Sequence, residues 1–451
     1  MVFPGYFVAI IGGAVAGSEA AVKLAERGIY SAVFEQNELP YGKLETGLPK
    51  WHINLRNSQE NKIDQKLKHP LVTFVPCVKL GRDLDFKDII KNWGFSAILL
   101  AIGAWRDRSL EIKGIDNYIN KGLYYQNSFV AWYNRNHDPD LHEQSYDICD
   151  QTVVIGGGLA SLDVMKILSI ETARQKLEKH GIHVDAFTLE KRGVYEVLKE
   201  SGLSLAELQL NGCALYYRRR LIDMPLNSLP EDSDPGKREK ALQVRYKIMD
   251  NFLKKYFFKF YECANPVDTV AREGHLIGLK FQKTEISDGR VLPVKNSEYK
   301  VICPRVISAI GSIPEPIPGI PFKGDMIDIT DKESGQIAGY DHVFALGNAV
   351  TGRGNIKESQ MHGRRATEKV MDEFLVWREA DYEEIFRRAE NNAENKISAI
   401  EVKLQAKRPL NREKIAEIFE RLRALHKKVS YNGDYDAWIK QYLPLRVENM
   451  I

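Results

Sequence analysis

The chain has 451 residues, of which 44% are hydrophobic and 28% are charged, and its formal net charge is +3. This length predicts two to four domains with their own cores, and so small a net charge gives no argument for nucleic-acid binding. The five cysteines are far apart without Cys-x-x-Cys spacing, which argues against a disulfide framework, a zinc ribbon or a self-ligated iron–sulfur cluster. The sequence shows no signal peptide and no apolar run of membrane-spanning length, so we expect a cytoplasmic protein.

A short apolar strand and a glycine turn come first in the chain. Val8–Ile11 predicts a buried strand, and Gly12, Ala14 and Gly17 follow it at the spacing of a dinucleotide-binding turn. In such a turn the N–H groups of the next helix bind a pyrophosphate. Ala14 stands where a glycine is usual, so we expect its methyl group to displace the pyrophosphate slightly.

The next segments extend the same nucleotide-binding pattern. Ser31–Phe34 predicts a second strand, and Glu35 at its end can accept hydrogen bonds from both hydroxyls of an adenosine ribose. Leu39–Lys50 is dense in proline and glycine, which predicts an irregular loop. Ala97–Ala104 predicts a buried strand whose Gly103 would let a flat cofactor lie close to the backbone.

A second glycine turn follows the apolar run Val153–Ile155. The residues assigned to this turn are Gly156, Gly158, Leu159, Ala160 and Ser161. Two such turns predict two dinucleotide sites. The expected fold class is therefore α/β, with two Rossmann-like dinucleotide-binding domains and a helical C-terminal extension.

Four segments carry a more specific resemblance: Pro40–Pro49, Leu110–Gly114, Ser128–Asn134 and Leu162–Leu168. Through them the chain resembles the adrenodoxin reductase and ferredoxin–NADP reductase group of flavoproteins. It is also similar to the flavoprotein subunit of bacterial glutamate synthase, within the glutathione-reductase-like proteins that bind two dinucleotides. The resemblance covers about Val8–Phe374.

The resemblance implies FAD on the first glycine turn and NADPH or NADH on the second. The expected domains are a discontinuous FAD domain (1–117 and 315–377), an NAD(P)H domain (118–314) and the extension (378–451). The FAD residues that it implies are Gly12, Ala14, Gly17, Glu35, Gly42, Leu44, Gly103, Gly347, Asn348, Asn355 and Ile356. Asn348 replaces the aspartate common in relatives, and Ile356 or its neighbour would donate a backbone N–H to the flavin where a helix predicted over His362–Val376 begins.

The nicotinamide nucleotide remains open between NADPH and NADH. Ala186–Leu189 is expected to be the outer strand, after which the relatives bind the adenosine 2′-phosphate with two arginines. Lys191 and Arg192 match these positions, whereas Glu190 matches the ribose-binding acid of proteins that use NADH. Glu207 matches an acid near the nicotinamide half of the nucleotide.

The leading functional hypothesis is an oxidoreductase that passes electrons from NAD(P)H through FAD to a ferredoxin-type iron–sulfur protein. No catalytic acid or base and no metal site is expected, because the cofactors carry the chemistry. One alternative is a flavoprotein subunit that works only inside a larger complex, and another is a non-catalytic flavin-binding structural subunit. Basic residues around Arg218–Arg220 would dock an acidic ferredoxin.

The C-terminal extension is predicted to be helical over Asp381–Asn392, Ala399–Lys407 and Glu413–Val429. Two interpretations stay open for it. It is either a packed annex or an arm for docking a partner, a second copy of the chain or a complex subunit.

Overall fold

The computed structural model describes residues 5–139, 145–227, 235–352, 354–375 and 409–449. Strands in these residues are β1 (Phe7–Ile11), β2 (Tyr30–Phe34), β3 (Val72–Val75), β4 (Ala97–Leu100), β5 (Arg106–Asp107), β6 (Leu123–Tyr125), β7 (Val153–Gly156), β8 (Cys213–Tyr216), β9 (Phe258–Tyr261), β10 (Ala264–Arg272), β11 (His275–Ser287), β12 (Arg290–Ile302), β13 (Val306–Ala309), β14 (Ser312–Ile313), β15 (Phe322–Lys323), β16 (Met326–Ile327) and β17 (Val343–Ala345).

The α-helices in the same residues are α1 (Val15–Glu26), α2 (Lys43–Thr46), α3 (Ile53–Leu67), α4 (Phe86–Asn92), α5 (Gln126–Arg135), α6 (Leu159–Lys179), α7 (Ala186–Arg192), α8 (Val194–Glu200), α9 (Pro235–Lys255), α10 (Asn348–Thr351), α11 (Ile356–Val370), α12 (Arg412–Lys428) and α13 (Tyr435–Tyr442). None of the described helices is both long and apolar enough to cross a membrane.

The chain divides into two compact units. Unit 1 comprises residues 1–48, 52–106 and 312–451, and unit 2 comprises 49–51 and 107–311. The sequence prediction placed the two crossings of the chain near residues 117 and 314. It also treated 378–451 as a separate extension, whereas residues 409–449 of that segment are assigned to unit 1.

Unit 1 is built on a parallel five-stranded sheet in the order β17-β4-β1-β2-β3. All five residues of β1 are buried, as expected for the central strand of a parallel sheet that is covered on both faces. Because β2 and β4 lie on opposite sides of β1, the carboxyl end of β1 is a topological switch point, where ligands of such sheets bind.

Each face of this sheet is covered by helices from distant parts of the chain. Val8 and Ile10 of β1 belong to a core that α1, α3, α11 and α13 complete. Phe7 on the other face belongs to a core that includes Ile418 and Leu422 of α12. The C-terminal helices α12 and α13 are therefore part of the core of unit 1. The other two predicted C-terminal helices, Asp381–Asn392 and Ala399–Lys407, lie outside the described residues.

Unit 2 contains a second parallel five-stranded sheet, in the order β6-β13-β7-β8-β9, and an antiparallel three-stranded sheet, β10-β11-β12. In the parallel sheet β7 is the central strand, with β8 and β13 on its two sides, so its carboxyl end is also a switch point. The predicted α/β fold class with two Rossmann-like parallel sheets is confirmed.

The prediction of an outer strand over Ala186–Leu189 is wrong. These residues begin α7, whose N-terminus is capped by Asp185 through a 2.9 Å hydrogen bond from the Thr188 N–H. A short apolar run cannot be assigned to strand or helix by periodicity alone. Here the Asp185 side chain caps the segment and stabilises the helix. The next strand after β7 in the chain is β8, which pairs with β7 and lies more than twenty residues beyond Leu189.

Candidate functional site

The first glycine turn follows β1 at the switch point of unit 1. Gly12 has a φ of +103°, and a Cβ atom there would lie 2.5 Å from the Ala101 carbonyl oxygen. A Cβ atom at Gly17 would lie 1.8 Å from the Gly12 carbonyl oxygen. Both positions therefore require glycine to let α1 start directly against the strand. Ala14 precedes α1 without capping it by a side chain, which suits binding of an anion by the helix N-terminus.

Glu35 follows β2 and its carboxylate lies at this turn. It is 3% exposed, and its Oε2 accepts a 2.9 Å hydrogen bond from the Gly13 N–H. Its Oε1 accepts hydrogen bonds of 3.1 Å from both the backbone and the side-chain nitrogen of Asn37. Burial raises the pKa of Glu35, while these hydrogen bonds act in the opposite direction. The carboxylate is thus fixed beside the pyrophosphate turn, where a ribose would lie.

The loop predicted to contact FAD packs on the same turn. A Cβ atom at Gly42, which has a φ of +54°, would lie 3.0 Å from the Ala14 Cβ. The Ala14 methyl group therefore faces this loop. Leu44 is buried in the short helix α2, so the loop is more regular than the sequence predicted. Gly103, after β4, lies near Trp105, whose Nε1 would be 3.7 Å from an added Cβ.

Gly347 and Asn348 follow β17 and lie against the start of α1. A Cβ atom at Gly347 would lie 2.7 Å from the Ala16 Cβ, so this contact requires glycine. The Asn348 Oδ1 is buried and has no hydrogen-bond donor among the described residues. Because buried acceptors are nearly always paired in folded proteins, this oxygen indicates a donor from a bound molecule, such as a hydroxyl group.

The helix after Asn348 starts earlier than the sequence predicted. It is α11, which begins at Ile356 rather than His362, because Asn355 caps it by accepting hydrogen bonds from the N–H groups of Lys357 and Glu358. His362 therefore lies within α11, where its Nδ1 accepts a 3.1 Å hydrogen bond from the Gly347 N–H. Burial lowers the pKa of His362, which favours the neutral ring that this bond needs.

The second glycine turn follows β7 at the switch point of unit 2. A Cβ atom at Gly156 would lie 2.6 Å from the Ala309 carbonyl oxygen, and one at Gly157 would lie 2.2 Å from the Tyr217 ring. At Gly158 no protein atom lies within 4 Å of that position. The open space in front of Gly158 is where a pyrophosphate would approach the N-terminus of α6.

The first residues of α6 complete this turn. The Ser161 hydroxyl donates a 2.6 Å hydrogen bond to the Gly158 carbonyl oxygen and is buried, so it stabilises the turn rather than facing solvent. Leu159 is 52% exposed, which leaves its side chain at the mouth of the site. Ala160 lies between them in the first turn of the helix.

The residues predicted to choose between NADPH and NADH do not follow a strand. Glu190, Lys191 and Arg192 form the last turn of α7. The Glu190 carboxylate pairs with Lys166 of α6 at 2.5 Å, and Arg192 pairs with Glu200 of α8. The Glu190 and Arg192 side chains therefore stabilise contacts between helices, and Lys191 lies between them in the same turn.

Tyr217–Arg220 directly follow β8, the first strand after the second glycine turn. The Tyr217 ring covers Gly157, so this segment lies against the glycine turn. Arg218 is exposed, and the Arg219 guanidinium donates a 2.8 Å hydrogen bond to the Gly289 carbonyl oxygen. Arg220 pairs with Asp223 at 2.9 Å. In a dinucleotide-binding fold, arginines at this strand end suit an adenosine 2′-phosphate.

Sequence reasoning had assigned these arginines to partner docking only. The signal that could have identified them is the apolar run Cys213–Tyr216 immediately before three arginines. Arg245 is 6% exposed and donates hydrogen bonds to Asn227 and to the Ile222 carbonyl oxygen. Glu207 is exposed and accepts hydrogen bonds from the Ser204 N–H and hydroxyl at 2.8 and 2.7 Å, which fixes a local turn.

Comparison with known proteins finds a family model that matches part of the chain and relatives that match more of it. Residues 6–188 match the family model described as pyridine nucleotide-disulphide oxidoreductase. The chain is 25% identical over 346 residues to the mitochondrial NADPH:adrenodoxin oxidoreductase of Arabidopsis thaliana, covering 70% of this chain and 69% of the relative. It is 23% identical over 377 residues to the NADPH-ferredoxin reductase FprA of Mycobacterium leprae, covering 76% and 78%.

A solved structure extends the similarity of fold to most of the chain. Mycobacterium tuberculosis FprA in complex with NADPH superposes with a TM-score of 0.66 at 18% identity, over 94% of this chain and 91% of that chain. The predicted resemblance to adrenodoxin and ferredoxin reductases is confirmed. The resemblance to the glutamate synthase flavoprotein stays a prediction.

The chain has no Cys-x-x-Cys pair, and all five of its cysteines are free. Burial raises the pKa of Cys77 to about 11 and the pKa values of Cys213 and Cys303 to about 12, so these thiols stay protonated and poorly nucleophilic. The described residues contain no group of three or more His, Cys, Asp or Glu side chains that could hold a metal ion.

Proposed function

We propose that the protein is an NADPH-dependent FAD oxidoreductase that delivers electrons to a ferredoxin-type iron–sulfur protein. The observation that supports this most directly is the pair of glycine turns at the switch points of two parallel sheets. The two relatives are named for NADPH and for adrenodoxin or ferredoxin, which supports the same donor and the same class of acceptor.

FAD is assigned to unit 1 and NADPH to unit 2. In unit 1 the start of α1 would face the FAD pyrophosphate and Glu35 would bind the adenosine ribose. Asn348 fits this assignment because its buried Oδ1 needs a donor, which a hydroxyl of the ribityl chain could supply. The bound cofactors supply the hydride chemistry, and the protein positions them.

NADPH is favoured over NADH by the arginines after β8. A guanidinium binds a phosphate through two parallel hydrogen bonds, and Arg218 is exposed at the required strand end. Glu190, the residue that argued for NADH, is paired with Lys166. In unit 2, α6 would face the NADPH pyrophosphate through the open space at Gly158.

Anaerobic titration of the FAD-reconstituted protein with NADPH and separately with NADH tests this proposal. Bleaching of the flavin absorption band by NADPH at the lower concentration is the expected result. The double variant R218Q/R219Q should lose about 10- to 100-fold in apparent NADPH affinity and leave NADH unchanged. The matched control is K191Q/R192Q, which removes the two cations that sequence reasoning chose.

The opposite pattern, in which only K191Q/R192Q weakens NADPH, would reject the assignment of Arg218 and Arg219. If neither nucleotide bleaches bound FAD, the oxidoreductase proposal fails. If NADPH does reduce the flavin, a ferredoxin is added to the reduced protein under anaerobic conditions, and its reduction should slow as salt is raised, because charged docking surfaces are screened.

The alternative functions, a subunit of a larger complex and a structural flavoprotein, have no specific observation in their favour. Two expectations remain predictions from the sequence. One is that the C-terminal extension takes part in assembly with a second copy or a complex, and the other is the cytoplasmic location.

A further inference from the structure

The C-terminal segment of unit 1 contacts the loop that is assigned to FAD. The Trp438 Nε1 of α13 donates a 2.8 Å hydrogen bond to the Glu38 carbonyl oxygen, just before that loop. The Tyr435 hydroxyl donates to the Asp64 carboxylate at 2.8 Å, and the hydroxyl of Tyr41 in the loop donates to the same carboxylate at 3.1 Å. The loop is therefore held from its outer side by residues close to the end of the chain.

Arg446 makes the most extensive of these contacts. Its side chain is 9% exposed and lies between two glutamates from different elements. One guanidinium nitrogen donates to Glu45 of α2 at 2.7 Å, and another donates to Glu60 of α3 at 3.0 Å. A buried arginine that bridges two carboxylates fixes the distance between the elements that carry them, and removing one partner leaves an unpaired buried charge.

The contact with Glu45 is linked to the first glycine turn by a short path. Glu45 belongs to the single turn of α2, and its N–H bonds to the Gly42 carbonyl oxygen at 3.2 Å. A Cβ atom at Gly42 would lie 3.0 Å from the Ala14 Cβ, and one at Gly13 would lie 3.0 Å from the Pro40 Cβ. Movement of α2 would therefore move the backbone that packs on the pyrophosphate turn.

We propose that Arg446 is a positioning residue for FAD. It acts through Glu45 and α2 to hold residues 40–44 against the first glycine turn, so that the site keeps its shape for the cofactor. The C-terminal segment would thus be a part of the FAD site that lies hundreds of residues away from it in sequence. This inference rests on the proposed assignment of FAD to unit 1.

The test measures the dissociation constant of FAD by titrating the full-length apoprotein and following flavin fluorescence. R446M should raise this constant about tenfold, and E45Q should raise it in the same direction. R446K should restore part of the affinity, because a lysine supplies the charge but only one contact. Combining R446M with E45Q should be less than additive, since both remove the same interaction. The control is R423M, at an exposed arginine of α12.

A purely structural role of Arg446 would lower the melting temperature of the apoprotein and leave the FAD dissociation constant equal to that of R423M. That result overturns the proposal, and E45Q decides the question in the same way if R446M does not fold. A wild-type protein that binds no FAD overturns the proposed function together with this inference. Wild-type FAD binding with unchanged affinity in R446M and E45Q overturns this inference alone.

Discussion

Single carboxylates in unit 1 have environments that differ sharply from water. Glu35 is buried and accepts three hydrogen bonds from N–H donors, which compensate part of its desolvation. Glu60 is buried beside Arg446, yet two further acids, Glu45 and Asp64, lie near it. Burial, reinforced by these two acids, raises the pKa of Glu60.

The first prediction concerns the protonation of Glu60. Burial raises its pKa from 4.5 to about 7, Glu45 and Asp64 act in the same direction, and Arg446 and Arg56 act against it. A pKa that is raised on folding contributes stability below pH 4.5, and this contribution is lost as the pH rises from 4.5 to 7. E60Q keeps the uncharged form, so it should gain about 1 to 2 kcal/mol relative to wild type between pH 5 and pH 8.

Urea unfolding of both proteins at the two pH values measures this gain. The control is E420Q, at an exposed position of α12, whose stability relative to wild type should not change with pH. A constant difference between E60Q and wild type would mean that Glu60 is ionised in the folded protein throughout this range.

At the scale of the element, the second glycine turn separates a packing role from a binding role in adjacent residues. The ring of Tyr217 lies over Gly157, whereas the space in front of Gly158 is open. Of these two glycines, only Gly158 was assigned to the binding turn from the sequence. Gly157 is needed for packing against Tyr217, whereas Gly158 leaves space for a ligand. This difference follows from the contact between the turn and the segment after β8, which the sequence does not reveal.

The second prediction contrasts G157A with G158A. A Cβ atom at Gly157 would lie 2.2 Å from the Tyr217 ring, so G157A should lower the stability by about 1 to 3 kcal/mol. G158A should change stability by less, since its methyl group meets no protein atom, but it should weaken NADPH binding at least about tenfold. Denaturant unfolding and NADPH titration measure the two effects, and Y217A should restore the stability of G157A. Equal loss of stability in both variants would contradict this division.

The third prediction concerns helix α12. Ile418 is fully buried against the sheet of unit 1, so I418A should cost about 2 to 5 kcal/mol. E420A, two residues away and exposed, should change the stability by less than about 0.5 kcal/mol. Chemical denaturation measures the difference in stability between the two variants. Hydrogen exchange in β1 and β4 locates this difference in unit 1. An I418A variant as stable as E420A would show that α12 is a detachable arm.

At the scale of the whole molecule, the two units are built alike, and the single chain passes from one to the other several times. Unit 1 uses residues from the start, the middle and the end of the sequence, and unit 2 is continuous except for residues 49–51. Each unit has its own parallel sheet, its own switch point and its own glycine turn. This arrangement predicts that each cofactor stabilises one unit.

The fourth prediction follows from that separation. FAD should slow hydrogen exchange chiefly in β1, α1 and α11, and NADPH chiefly in β7, α6 and the segment after β8. A ligand at 1,000 times its dissociation constant stabilises the folded form that binds it by about 4 kcal/mol. Hydrogen exchange of the apoprotein with each ligand alone measures the pattern. FAD protection confined to unit 2 would reverse the assignment of the cofactors.

The sequence by itself determined the two strand–glycine–helix units, the acid after β2 and the α/β fold class. These features depend on neighbours in the chain: a buried apolar run, a turn that needs glycine and a helix that starts at once. The position of Glu35 could be predicted because only one helix and one strand separate it from Gly12. Helix α12 was likewise predicted from periodicity, over Glu413–Val429, with bounds close to those observed.

Only the tertiary structure decided which strand lies beside β7 and what the C-terminal helices cover. Ala186–Leu189 and Cys213–Tyr216 are both short apolar runs, and strand pairing with β7, a contact between distant residues, selects the second. The cations that we propose for the adenosine 2′-phosphate changed with that choice, from Lys191 and Arg192 to Arg218 and Arg219. A role for Arg446 could not be predicted for the same reason. Its guanidinium binds Glu45 and Glu60, which are distant in sequence and are brought together only by the fold.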